Sequence, residues 1–335
     1  MIRAAASKPV IRRFLESPIA GPLITLVVVF ILLTIFVPNN TFLTMRSMSG
    51  IVNAATLTGI ITIGVTLLMI CGEFDLSVGA LMAIGAFLYG GITMNGGNQL
   101  LAVLAALIVP GLLGAFNGLL LIWTGIPSFI VTLGTQFIYR GGLYIISTGI
   151  MLQTISEYPV YQFFNGRLDL VANAIKDANF RTSLFWLLGM VVVFQLLLVR
   201  TRFGNHIFAV GGNPGAAKAT GVNVNRTKLY GFIISGLLAG LSGIMLFSQY
   251  KTARIATGSG EELNAIAAAV VGGTLLTGGS GSIVGALLGV LIISMLRTGI
   301  ILMDLSFIPA DNFVAVVGVT IVVAAVFNYW IRRQA

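Results

Sequence analysis

Residues able to do chemistry are scarce in this chain of 335 residues, which carries ten Asp and Glu, one His and one Cys. Two pairs of acids lie against apolar runs. Glu73 and Asp75 sit in CGEFDLSVG (Cys71–Gly79), and Glu261 and Glu262 sit in ATGSGEELNAIAAAVVGGTLLTGGSGSIVG (Ala256–Gly285), near the start of its apolar run. Acids at membrane depth are costly and face a cavity, a partner or water. Three uses are open to the first pair. Asp75 and Ser77 can cap the following helix at the cytoplasmic mouth, with Gly72 and Gly79 permitting the break. They can instead touch a polar solute, or relay protons, although the single histidine, His206, lies in a loop and not in a span. The second pair falls where the N-terminal dipole of a helix favours negative charge. The double glycines Gly272-Gly273 and Gly278-Gly279 that follow suit either backbone exposed along a solute path or a tight helix crossing. Asn117, Thr132, Gln136 and Asn264 put polar groups in the middle of apolar runs, for a solute or for interhelical hydrogen bonds. The candidate path is therefore Asp75, Ser77, Asn117, Thr132, Gln136 and Asn264.

Several chemistries are excluded. Cys71 has no second thiol to pair with or to share a metal, and no metal or cofactor site is expected. None of the lysines follows a glycine, so the P-loop ending Gly-Lys-Ser/Thr is missing. The chain is not read as an enzyme, and any nucleotide energy must enter through another chain.

The elements that position these residues are membrane spans. The chain is 57% hydrophobic and 9% charged, with a mean hydropathy of +1.01. A soluble chain carries about a quarter charged residues, so the fold class is all-α and polytopic. A helix needs roughly 20 apolar residues to cross a bilayer. The expected spans are 19–37, 51–71, 76–94, 100–123, 126–146, 182–199, 229–247, 263–276, 283–302 and 313–330. The eighth is short and Gly-rich at its end, so it is a candidate half-helix. These make one domain, 1–335, with five spans in 19–147, an external loop at 148–181 and five spans in 182–331. The net charge of +9 sits in short loops and does not form a nucleic-acid patch; it is directed at membrane lipid instead. Arg3, Lys8, Arg12 and Arg13 precede span one, and Arg332 and Arg333 follow span ten. The positive-inside rule then places both termini in the cytoplasm. Leu57–Leu81 aligns without a gap on Leu263–Leu287, ending in Val-Gly-Ala-Leu in both copies, which suggests an internal repeat. Small residues four apart (Gly114 and Gly118, Gly236 and Gly240, Gly281, Gly285 and Gly289) allow close helix crossings.

Between spans six and seven, loop 200–228 is polar and punctuated. Asn213 before Pro214 reads as a helix start, Gly215, Ala216, Ala217, Lys218 and Ala219 as a short helix, and Gly221 as its left-handed end. Ala216, Ala217 and Ala219 are small enough for a partner groove. Two readings are open: an ordinary loop held at the lipid surface by its charge, or a docking helix for a soluble partner.

GEFDLSVGALMAIGA, Asn117-Gly118 followed by IPSFIVTLGT, FGNHIFAVGGNPGAAKATGVNV and EELNAIAAAVVGGTLLTGGSGSIVGALLG resemble, in that order, the sugar-type ABC importer permeases of the ribose, galactose and autoinducer-2 group. The resemblance covers about Ser49 to the C-terminus. Cys71-Gly72-Glu73-Phe74 departs from it, since many members carry two glycines and a small apolar residue there. It implies a permease subunit of the bacterial inner membrane, moving a monosaccharide or similar small polar solute by alternating access. The implied partners are a twin-cassette ATPase, a periplasmic or lipid-anchored binding protein and a second permease copy or homologue. Asn213 to Gly221 corresponds to the family's coupling segment, and the loops 148–181 and 251–262 to the surface that receives the binding protein. An ion-coupled transporter using Glu73 or Asp75 is the alternative.

Overall fold

The computed structural model describes residues 19–303 and the isolated helical positions 315, 318, 319 and 322. The tenth expected span and both terminal arginine groups lie outside the described residues.

The chain is mainly helical. In order come α1 (Ala20–Phe36), α2 (Met45–Ile70), α3 (Val78–Met94), α4 (Gln99–Thr124) and α5 (Ser128–Ser147). Segment 148–181 contains β1 (Leu152–Gln153), α6 (Pro159–Asn165) and α7 (Asp169–Ala174). Then follow α8 (Ser183–Arg200), α9 (Arg202–Gly212), α10 (Pro214–Ala219), α11 (Val224–Tyr250), β2 (Thr252–Ala253), α12 (Glu261–Val271) and α13 (Ile283–Met303). Among the described residues six helices, α2, α4, α5, α8, α11 and α13, are long and apolar enough to cross a membrane, and α1 and α3 are shorter apolar helices. α12 has 11 residues, about 16 Å at 1.5 Å per residue. That is about half of the roughly 30 Å hydrocarbon core of a bilayer.

α11 is the centre of the bundle and packs on α2, α3, α4 and α6. Side chains are absent where the helices come closest. A Cβ on Gly236 would collide with the Pro110 carbonyl, and one on Gly240 with that of Ala106. Gly289 stands in the same way against Ala268, and Gly285 against Gly272. The first glycine of the Gly272-Gly273 pair thus serves a tight crossing. The outer faces of α4, α5 and α8 carry exposed Leu101, Leu112, Ile138, Phe185 and Val192, as lipid-facing helices should.

The two ends of the bundle differ. At one end, called the hairpin end below, β1 pairs antiparallel with β2, and Leu152 faces Ala253. An aromatic cluster (Tyr89, Tyr161, Phe164, Phe247 and Trp186) fastens α6 to α3, α8 and α11. The segment 148–181 is accordingly folded onto the bundle. Asn165 is buried, donating to the Met245 carbonyl at 3.0 Å and to Gln249 at 2.9 Å. Arg181 donates to the Asn165 carbonyl at 2.9 Å, and its burial pulls the guanidinium below its ordinary pKa. At the opposite end lie α9 and α10. α9 is a helix that glycine-rich FGNHIFAVGG does not advertise, although Phe203, Ile207 and Val210 hold helical spacing. Thr201 caps it through Gly204 N–H at 3.1 Å, and it buries Ile207 and Val210.

The two segments that align in the sequence each contain a broken helix: α2 and α3 around residues 71–77, α12 and α13 around 272–282. The matched glycines Gly72 and Gly278 lie against each other in space.

Candidate functional site

α10 is built as its residues dictate. The Asn213 side chain accepts from Ala216 N–H at 3.0 Å and Pro214 takes the first helical position. Gly221 adopts φ +87°, and Val222 N–H returns to the Ala217 carbonyl at 3.0 Å, the left-handed ending expected of glycine. Gly215, Ala216, Lys218 and Ala219 are exposed. Ala217 is buried in the apolar core, which corrects its place on the outward face: it seats the helix on its own chain. The surface open to a partner is made by Gly215, Ala216, Lys218 and Ala219.

The acids of CGEFDLSVG part company. Glu73 is mostly buried and forms an ion pair with Lys228, the fifth residue of α11. Asp75 is wholly buried. Its Oδ1 accepts from Ser77 N–H at 2.9 Å and Ser77 Oγ at 2.6 Å, and its Oδ2 from Ser235 Oγ at 2.9 Å. Asn117 donates to Ser77 Oγ at 2.8 Å and accepts from Tyr139 Oη at 2.8 Å. Asp75 is therefore neither a cap at the membrane surface nor a group facing a solute. It is the hub of a closed network joining α3, α4, α5 and α11. Replacing Asp75 with alanine strands Ser235 and the Ser77 N–H, at about 1–3 kcal/mol for each buried group left unpaired. The expected result is a lower thermal midpoint for the detergent-solubilised protein, with Asp75→Asn falling between alanine and wild type because one acceptor survives.

α5 presents Ser128, Thr132, Gln136 and Arg140 at intervals of four, one stripe of a helix. Ser128 Oγ accepts from Phe74 N–H at 3.0 Å and Thr132 Oγ1 from Leu76 N–H at 3.1 Å. Gln136 donates to Glu262 at 3.0 Å, and Arg140 donates to the carbonyls of Ile255 and Thr257. The stripe thus satisfies backbone at two non-helical stretches, 73–77 and 254–260, and the acid Glu262 in the first turn of α12. Backbone freed from a helix inside a membrane needs such partners. The second stretch does not lie wholly on the surface, although Arg254, Ala256 and Ser259 are exposed. It runs inward from β2 until Gly258 packs on Gly79.

That descent leaves a polar cavity of about 190 Å³ lined by Thr58, Tyr250, Glu261, Asn264, Ser294 and Arg297, together with apolar side chains of α2, α3 and α11. Thr58, in the middle of α2, donates to Glu261 Oε2 at 2.7 Å, and Asn264 donates to Glu261 Oε1 at 3.2 Å. Of the six expected path residues only Asn264 lines this cavity. Asp75, Ser77 and Asn117 form the network, and Thr132 and Gln136 belong to the α5 stripe. Glu261 was visible in the sequence as a helix-start acid. Thr58 carries no local signal, because its role comes from a residue far along the chain.

An apolar bundle with helices interrupted at polar, hydrogen-bonded breaks is a multi-pass membrane protein of the transporter kind. A family profile described as branched-chain amino acid transport system / permease component matches residues 47–325, and the chain belongs to that family of permease components. The ribose import permease protein RbsC of Escherichia coli strain K12 is 34% identical over 287 residues, covering 85% of this chain and 86% of the relative. The autoinducer 2 import system permease protein LsrC of Enterobacter sp. strain 638 is 34% identical over 284 residues, 83% and 78% of the two chains. The fructose import permease protein FrcC of Rhizobium meliloti is 33% identical over 324 residues, 96% and 88%. No solved structure matches significantly. The ion-coupled alternative finds no support among the relatives.

Proposed function

We propose that this chain is the membrane-spanning subunit of an ABC importer for a monosaccharide or similar small polyhydroxylated solute, working by alternating access. The observation that carries this reading is the partly polar cavity at the start of half-helix α12, lined by both broken helices and open to the surface at Tyr250 and Arg297. Glu261, held by Thr58 and Asn264, offers a carboxylate acceptor to solute hydroxyls, and Asn264 and Ser294 add further polar groups. Two permeases, identical or homologous, share one twin-cassette ATPase that docks on the exposed face of α10. The binding protein sits on the hairpin end, over β1, α6 and α7. The whole chain forms one domain of ten spans with both termini cytoplasmic. The relatives that import ribose, fructose and autoinducer 2 favour a sugar-like solute.

The test is reconstitution in proteoliposomes with the cognate ATPase and binding protein, using labelled ribose, fructose and xylose as probes. Uptake of one of them should require ATP and the binding protein and survive collapse of the proton gradient. Uptake driven by a proton or sodium gradient alone refutes the reading. Topology has its own check. Ile155 is 93% exposed at the hairpin end, and Ile155→Cys should react with an impermeant thiol reagent in intact cells. Asn225→Cys, at the exposed start of α11, should react only after permeabilisation. The opposite pattern inverts the orientation.

A further inference from the structure

Three stretches of backbone meet beside α10 with no side chain between them. Gly211, at the end of α9, lies so close to the first break that a Cβ there would overlap the Ile70 carbonyl and stand 2.7 Å from Gly279 N. Gly279 N–H donates to that same Ile70 carbonyl at 2.8 Å, tying the second break to the first. A Cβ on Gly278 would lie 2.9 Å from both the Gly211 oxygen and Gly72 Cα. Gly72, Gly278 and Gly279 have φ of +85°, +82° and +75°, a region that glycine enters without a steric cost. On the other flank of α10, Lys228 is ion-paired with Glu73, again in the first break. The helix that offers the docking surface is thus attached on both sides to residues 71–77, and on one side also to 278–279.

We propose that this glycine contact is where movement of α10 is delivered to both broken helices at once, with Gly211 as the positioning residue. The proposal rests on the docking role given to α10 above. Backbone packed on backbone has no side-chain rotamers to absorb a displacement, so a shift of α9–α10 moves the ends of α2 and α12–α13 together. The break at 71–77 leads to Asp75 and α3; the break at 272–282 closes the half-helix that carries Glu261. One input therefore reaches both walls of the cavity.

A matched pair of substitutions tests this. Gly211→Ala inserts a methyl group into the contact, whereas an alanine at the neighbouring Gly212 meets nothing within 4 Å. In the reconstituted complex Gly211→Ala should keep the ATPase bound and hydrolysing ATP, while uptake per ATP falls at least tenfold; Gly212→Ala should couple as wild type. A lesion confined to folding would lower complex yield without changing the ratio of uptake to hydrolysis in the complexes that form. Equal coupling in the two variants overturns the proposal. Should Gly211→Ala fail to assemble, amide exchange in the wild-type complex decides. On adding a non-hydrolysable ATP analogue, protection should change together in 70–74, 209–213 and 276–281, and unchanged exchange there overturns the proposal. If the ATPase does not bind wild-type permease at all, the docking reading itself has failed, a result distinct from normal coupling in Gly211→Ala.

Discussion

Replacing Ala219 with arginine should abolish ATP-driven uptake, with the permease reaching the membrane in normal amount and the ATPase no longer copurifying with it. Ala219 lies at the C-terminal end of α10 and is exposed. It is two residues from Ala217, about 200° around a helix of 3.6 residues per turn, so it points away from the chain that Ala217 packs against. Arginine there does not unfold α10: it is a good helix former, and a cation near a helix C-terminus is favourable. Its cost falls on the interface, where a bulky charge without a partner must be desolvated, at several kcal/mol. Ala217→Glu makes an informative contrast. It places a carboxylate in the apolar core and should lower the stability and yield of the permease itself. Asn213→Ala removes a cap worth about 1 kcal/mol and should weaken uptake without abolishing it. Wild-type uptake and copurification in Ala219→Arg would place ATPase docking on another surface.

The second large effect belongs to the cavity. Glu261→Ala should reduce uptake by about 10–100-fold, the equivalent of one lost hydrogen bond to a charged group at roughly 1.5–3 kcal/mol, with the ATPase still bound. Glu261→Gln keeps the shape and one acceptor and should fall between alanine and wild type. The cavity is at the start of α12 and distant in sequence from α10, so ATPase copurification should be unchanged in both variants. That separates this loss from the loss in Ala219→Arg. Removing the Thr58 hydroxyl with Thr58→Val should lower uptake less, because Asn264 continues to orient the carboxylate. Full activity in Glu261→Ala would exclude this cavity from the solute path.

Local chemistry was enough to draw α10 from the chain alone. Asn213, Pro214 and Gly221 act on backbone within three or four residues of themselves, and cap, start and end follow from those contacts. The apolar runs behind α1–α5, α8, α11 and α13, and the shortness of α12, were legible for a related reason: crossing hydrocarbon requires length and apolarity in the segment itself. Asp75, Ser77 and Asn117 stood out in the sequence because polar groups in apolar runs must find partners. Which partners they find depends on what packs beside them. Asp75 meets Ser235, Gln136 meets Glu262 and Thr58 meets Glu261 across 126–203 residues of chain. A single sequence carries no record of such pairings, so residues of a closed network and residues of an open cavity look alike. Ala217 turns inward, and Gly211 touches both breaks, for the same reason: the tertiary packing chooses which face of a short helix is covered and which glycines meet.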